Sequence, residues 1–206
     1  DGTLGYGPGR WLAGFAFSLG LVMVLVGGAE LFTGNSLMVM AWAERRITLG
    51  EIAGNWGLAY LGNLAGALAT VLLVHFAGLP SGPSAATAVA IAEAKAALDP
   101  LQALVRGILC NVFVCMAVWL SLAARQIAGK ILAIMFPVAA FVALGLEHSV
   151  ANMYLIPVGQ LAGQGLDLAA FLRNLVPVTI GNVIGGAGFV AGIYWLIYRR
   201  LGGPAT

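Results

Sequence analysis

The sequence predicts an all-α, polytopic membrane protein: a helical bundle with two interrupted membrane spans. Three observations carry that reading. Of 206 residues, 61% are hydrophobic and only 9% are charged, against about 25% charged in soluble domains. The few charges are separated by long apolar runs. Residues 11–29, 107–124 and 131–146 hold none, nor does the stretch between Arg173 and Arg199, and between Glu51 and Glu93 only His75 could carry one. Runs of about 18 or more apolar residues have the length of a transmembrane helix, and the mean hydropathy of +0.96 agrees. Finally, two apolar segments are too long for one straight crossing, and both are polar in the middle. A soluble enzyme, a nucleic-acid binder and a secreted disulfide scaffold are excluded. A net charge of +2 does not call for an acidic polymer as partner.

Five hydrophobic segments follow in order: 11–42, 52–76, 101–124, 131–160 and 174–198. The first would make a helix of about 48 Å, against roughly 30 Å of hydrocarbon. It is interrupted by Glu30-Leu31-Phe32-Thr33-Gly34-Asn35, flanked by Gly27 and Gly28. The second carries Gly62 and Gly66 at G-x-x-x-G spacing, as Gly181 and Gly185, then Gly188 and Gly192, do in the fifth; such spacing lets helix backbones approach in lipid. After the breaker cluster at 78–83, Ala85–Leu98 reads as a short surface helix. The third segment contains Cys110 and Cys115, read as buried free thiols. The fourth is interrupted by Glu147-His148-Ser149-Val150-Ala151-Asn152 next to Gly145. Unwound backbone survives at membrane depth only where protein or a water-filled cavity satisfies it. Paired, interrupted helices in matching positions of two halves point to a permeation site.

Arg45, Arg46, Arg125, Lys130, Arg199 and Arg200 fall together when spans alternate sides, whereas Arg10, Lys95, Arg106 and Arg173 fall opposite or at the edge. The positive-inside rule then puts 43–51, 125–130 and the C-terminus in the cytoplasm. The interrupted helices are first and fourth of five. One further span before Asp1 would make each the middle of a triplet in an inverted repeat, so a first helix is expected upstream. No linker divides the chain, and residues 1–206 are expected to form one membrane domain.

Glu147-His148 is the sharpest constellation. Ionisable residues at bilayer depth face a bundle interior or a cavity. One reading is a proton-exchanging histidine on a pathway; the other is a packed histidine satisfied by a backbone carbonyl, with Glu147 pairing a neighbour. Glu30, at the other interruption, carries the same two readings. His75 lies near the end of its span and reads as interfacial. Lys95, in Ala92-Glu93-Ala94-Lys95, would ordinarily be a solvated charge. His75, His148 and the cysteines are not at metal-ligand spacing, so no metal is expected. No nucleophile elbow or phosphate loop is present, and neither an enzyme nor a cofactor is expected.

Glu30-Leu-Phe-Thr-Gly-Asn35, Gly54-Asn-Trp56, Tyr60-Leu-Gly-Asn63, Ala92-Glu-Ala-Lys95, Arg106-Gly-Ile-Leu-Cys-Asn111, Glu147-His-Ser-Val-Ala-Asn-Met153 and Pro177-Val-Thr-Ile-Gly-Asn182 together resemble the formate/nitrite transporter family, collinearly over about residues 10–200. The resemblance implies a homopentamer in the bacterial inner membrane, each protomer having six spans, an aquaporin-like inverted repeat and its own pore. The first family helix has no counterpart here. The resemblance also implies roles for particular residues. Leu31-Phe32-Thr33 becomes the loop joining two half-helices, and Phe17 and Phe141 form an outer constriction. Leu21 and Leu31 form an inner one, with Phe32 grouped among the constriction residues. His148 becomes the central pore histidine, with Thr33 and Asn111 as polar groups near it and Lys95 and Glu147 as a charged pair tuning it. Asn35 and Asn152 are the further polar residues of the two interruptions. The implied substrate is a small monovalent anion, formate or nitrite. Glu30 stands where some formate channels carry Asp, and Thr33-Gly34-Asn35 is closer to nitrite and general branches, which leaves the preferred anion open. Hydrosulfide or short carboxylates such as acetate and lactate are the alternative within the family. A non-transporting structural membrane subunit is the alternative of another class.

Overall fold

The computed structural model describes residues 5–163 and 165–201. Helix α1 spans Tyr6–Gly27 and ends where Gly28 takes a left-handed conformation (φ 78°). A 3-10 turn follows at Gly34–Leu37, then the short α2, Met38–Ala43. The first long segment is thus two helical pieces joined by the non-helical stretch 28–33. Helix α3, Leu49–Phe76, is started by a capping box in which Thr48 and Glu51 satisfy each other's backbone N–H. Next come α4 (Pro83–Ala96) and α5 (Pro100–Ala123), the latter capped by Asp99, which accepts from the N–H groups of Leu101 and Gln102.

The fourth predicted segment divides into α6, Ile127–Ala143, and α7, Ser149–Ala162. Between them Gly145 has φ 70°, a backbone state a side chain opposes, and a Cβ there would lie 3.0 Å from Nη2 of Arg10. Helix α8, Leu168–Val183, is capped by Asp167 and continues as a π-helix over Ile184–Gly192, an α-turn at Ile193–Trp195 and a further π-helical stretch, Leu196–Leu201. It starts six residues earlier than the predicted 174, because the Asp167 cap is stronger punctuation than the charge on Arg173. Among the described residues, the helices at Tyr6–Gly27, Leu49–Phe76, Pro100–Ala123 and Leu168–Arg199 are long and apolar enough to cross a membrane, and Ile127–Ala143 is a shorter apolar helix.

Helix α1 packs along α6, α5 along α8 and α6, and α7 against both α3 and α4. Small residues set the closest approaches. Gly181 of α8 and Gly185 of its π-helical continuation lie against the carbonyls of Leu104 and Ile108, and Gly107 answers from α5, where a Cβ would lie 2.8 Å from the Val178 carbonyl. Only this one of the three predicted G-x-x-x-G pairs is used that way within the protomer. Gly62, Gly66 and Gly188 meet nothing within 4 Å. A second correction concerns α4. It lies at the surface as expected, with Ala92 buried, but it is docked and not solvated all round, because Gly159 of α7 sits directly against the Ala88 carbonyl and the Ala92 methyl. That docking carries Lys95 inward.

Candidate functional site

The two non-helical stretches, 28–33 and 144–148, meet. The Oγ1 of Thr33 lies 2.9 Å from Nε2 of His148. His148 is itself the N-cap of α7, its Nδ1 accepting from the Ala151 N–H at 3.1 Å. Both ring nitrogens are therefore engaged by protein. The residue is 7% exposed, and its ring lies nearly parallel to that of Phe141, with centroids 6.1 Å apart. Phe17 meets the same Phe141 edge to face at 5.9 Å.

These three rings separate two cavities. One, about 200 Å³, is lined almost wholly by apolar side chains, including Leu21, Val24, Leu31, Val114 and Val138. The other, about 300 Å³, is also walled largely by apolar side chains, among them Ile91, Leu98 and Leu155, but differs in carrying the charges of Arg10, Lys95, Arg106 and Glu147. Phe17, Phe141, His148 and Ala151 border both. A charged chamber and an apolar chamber thus share a wall of two phenyl rings and one imidazole.

An asparagine network fixes the polar side of that wall. Lys95 Nζ and Glu147 Oε1 are 2.9 Å apart, with side chains 14% and 4% exposed. The other carboxylate oxygen of Glu147 accepts from Asn152 at 2.6 Å and Asn174 at 3.4 Å. Asn174 also donates to the Lys95 carbonyl at 3.0 Å. Asn182 donates to the Glu147 carbonyl and the Gly107 carbonyl, and its Oδ1 accepts from the Ser149 N–H at 2.8 Å. Asn111 donates to the Thr33 carbonyl at 3.1 Å and the Asn182 carbonyl at 2.6 Å. A buried carboxylate at this depth needs such partners, since leaving it unpaired costs several kcal/mol.

His148, Thr33, Asn111, Asn152, Lys95 and Glu147 thus belong to one connected assembly, and Phe17, Phe141, Leu21 and Leu31 line the cavities. Phe32, Glu30 and Asn35 do not. Phe32 is buried against Tyr60 and Trp56, with centroids at 4.9 and 6.0 Å, and lines neither cavity. Glu30 is exposed and accepts from Asn35, which also donates to Asn55. These residues hold the 28–33 loop from behind, as does Asn63, which accepts from the Phe32 N–H at 3.0 Å and donates to the Glu30 carbonyl. Sequence reasoning assigned no site role to Asn174, Asn182, Asn63 or Arg10. The available signal was an amide side chain inside or beside an apolar run, which lipid does not tolerate unpaired.

Among the described residues no group of three or more His, Cys, Asp or Glu side chains could hold a metal ion. The sequence model described as "Formate/nitrite transporter" matches residues 2–196. An uncharacterized transporter of Bacillus subtilis, YrhG, is 45% identical over 187 residues, covering 89% of this chain and 70% of that protein. The formate channel FocA of Escherichia coli is 40% identical over 221 residues, covering 97% and 78%. Among solved structures, a pentameric formate channel with formate bound superposes with a TM-score of 0.86 at 35% identity, covering 96% of this chain and 86% of that one.

Proposed function

Because the chain belongs to the formate/nitrite transporter family, an integral membrane transport family and not an enzyme family, we propose that it passes small weak-acid anions, formate or nitrite, through a pore in each protomer. The carrying observation is the wall of Phe17, Phe141 and His148 between a charged and an apolar chamber. On this reading the protomers form a homopentamer in a bacterial inner membrane, the charged chamber faces outward, and Arg45, Arg46 and the C-terminus face the cytoplasm. Residues 1–206 act as one channel domain.

An unsolvated anion in the apolar chamber would lose several kcal/mol after relaxation. Protonating a weak acid of pKa about 3.5 at pH 7 costs on the order of 5 kcal/mol. Neutralising the anion at the wall therefore competes with carrying its charge through. Lys95, Arg10 and Arg106 attract the anion into the charged chamber. His148, directly or through water, supplies the proton, and the neutral acid crosses between the phenyl rings toward Leu21 and Leu31.

His148→Asn tests this with the helix kept capped, since Asn is a strong N-cap residue that cannot titrate. In proteoliposomes, formate and nitrite flux should lose its dependence on pH and shift toward conductance of the anion itself. A pH profile identical to that of the parent protein would refute the proton-transfer reading.

A further inference from the structure

The Ala151 N–H can only donate, so the Nδ1 it points at must carry a lone pair. A neutral imidazole has one bare nitrogen, and the proton therefore sits on Nε2, donating to Thr33 Oγ1. We propose that the N-cap of α7 and the charge of His148 are one switch: the ring caps α7 only while neutral, and taking up a second proton releases the cap. The inference rests on the proposed pore role of His148 for its meaning in transport, but the tautomer and its coupling to the helix stand apart from it.

An imidazolium carries N–H donors on both nitrogens and has no acceptor for Ala151. Turning the ring over does not help, because either edge then presents a hydrogen to a hydrogen. The cationic ring must leave the helix terminus, whose positive end also opposes it. Ala151 and His148 border both chambers, so a ring leaving the cap moves within the wall that divides them. The second proton comes from water in the charged chamber and binds Nδ1; when the cationic ring then gives that proton to an anion's oxygen, the Nδ1–H bond breaks and an O–H bond forms. The two opposite charges disappear together, and the Nδ1 lone pair is restored to Ala151. The recapped helix thereby returns the ring to its starting place.

The charged groups facing this chamber are Arg10 from α1, Lys95 from α4, Arg106 from α5 and Glu147 beside the ring. Cys115 of α5 reaches the Thr33 carbonyl at 3.5 Å, and Asn174 and Asn182 of α8 bring no charge. Arg10, Lys95, Arg106 and Glu147 border the vestibule without bonding the ring. The ring's own bonds are those to Thr33 and Ala151.

The chain has two histidines, and His75 is exposed, so His75→Gln leaves a single imidazole to observe. That protein, labelled with nitrogen-15 in histidine and alanine and held in lipid nanodiscs without substrate, reports both halves of the switch. Near neutral pH the ring should show the nitrogen resonances of the Nε2–H tautomer, and acidification should move the ring and the Ala151 amide together. A Nδ1–H tautomer, or an imidazolium with the Ala151 amide unmoved, would overturn the proposal. Thr33→Val should keep the Nε2–H tautomer, because the cap persists. A change of tautomer in that variant would show that Thr33 alone sets it and would equally overturn the proposal. A pH-independent flux with the expected tautomer would count against the transport reading only.

Discussion

Replacing Lys95 with Met removes the cation that faces Glu147 at 2.9 Å. The Glu147 side chain is only 4% exposed, so water cannot substitute for the lost partner. Breaking a buried ion pair from one side costs about 3–5 kcal/mol. Here the carboxylate keeps Asn152 at 2.6 Å and Asn174 at 3.4 Å, which puts the expected loss at the lower end, about 3 kcal/mol. Glu147→Gln keeps an oxygen for both asparagines but turns its NH2 toward the Lys95 ammonium; its loss should still be milder, because Lys95, 14% exposed, borders the charged chamber and can turn to water there. The double variant Lys95→Met/Glu147→Gln removes both charges and should recover about 2 kcal/mol relative to Lys95→Met alone. The assay is a double-mutant cycle on the unfolding of purified protein in mixed micelles. Additive single losses, or a Lys95→Met loss below about 1 kcal/mol, would refute the buried pair and leave Lys95 the solvated charge its sequence context suggests.

Gly185→Ala places a methyl on the Ile108 carbonyl and should destabilise the protomer by about 1–3 kcal/mol, whereas Gly188→Ala, with nothing within 4 Å, should leave protomer stability nearly unchanged. Thermal unfolding of the two variants side by side checks the contrast. Outside the spans, Glu44 accepts from Arg199 at 2.9 Å and Trp195 at 2.8 Å, and these bonds, that of Arg199 foremost, hold its carboxyl below the usual range. Its folded pKa is depressed, so its stabilising contribution is present above the unfolded value of 4.5 and is lost as pH falls through the folded one. Glu44→Gln should flatten the acid limb of a stability-versus-pH curve below about pH 4.5, and an unchanged limb would contradict the clamp.

Much of this architecture is legible from composition because lipid permits few solutions. Apolar runs between charges become helices, and Gly28 and Gly145 end helices beside the polar stretches where unwinding was expected. The element ends are read less well. Segment 131–160 hides a helix that begins at Ile127, since Lys130 suggested a boundary that the helix simply passes through. The site divides along the same line. Glu147-His148 stands out because two ionisable residues interrupt an apolar run. Lys95 does not, because its burial depends on Gly159 admitting α4 against α7, a contact between helices far apart in sequence. Asn174 and Asn182 are equally invisible: each matters for carbonyls and carboxylates that only folding brings near, such as the Gly107 carbonyl that Asn182 meets at 2.8 Å.

That division explains why amides, and not further charges, surround the pair. Each added ion at this depth would need its own counter-ion, at a desolvation penalty of several kcal/mol. An asparagine instead offers two donors and an acceptor with no net charge, so Asn152, Asn174 and Asn182 can brace Glu147 without cancelling the field of Lys95. The same economy governs His148. Capped by Ala151 and bonded to Thr33, it is held neutral in the wall, so the resting barrier between the chambers contains no charge of its own. On the proposed reading an anion arriving beside Lys95, Arg10 and Arg106 meets no charge in the wall itself, and the proton that neutralises it comes from a ring that has first given up its helix. Transport rate and the integrity of the first turn of α7 are for this reason expected to vary together with pH.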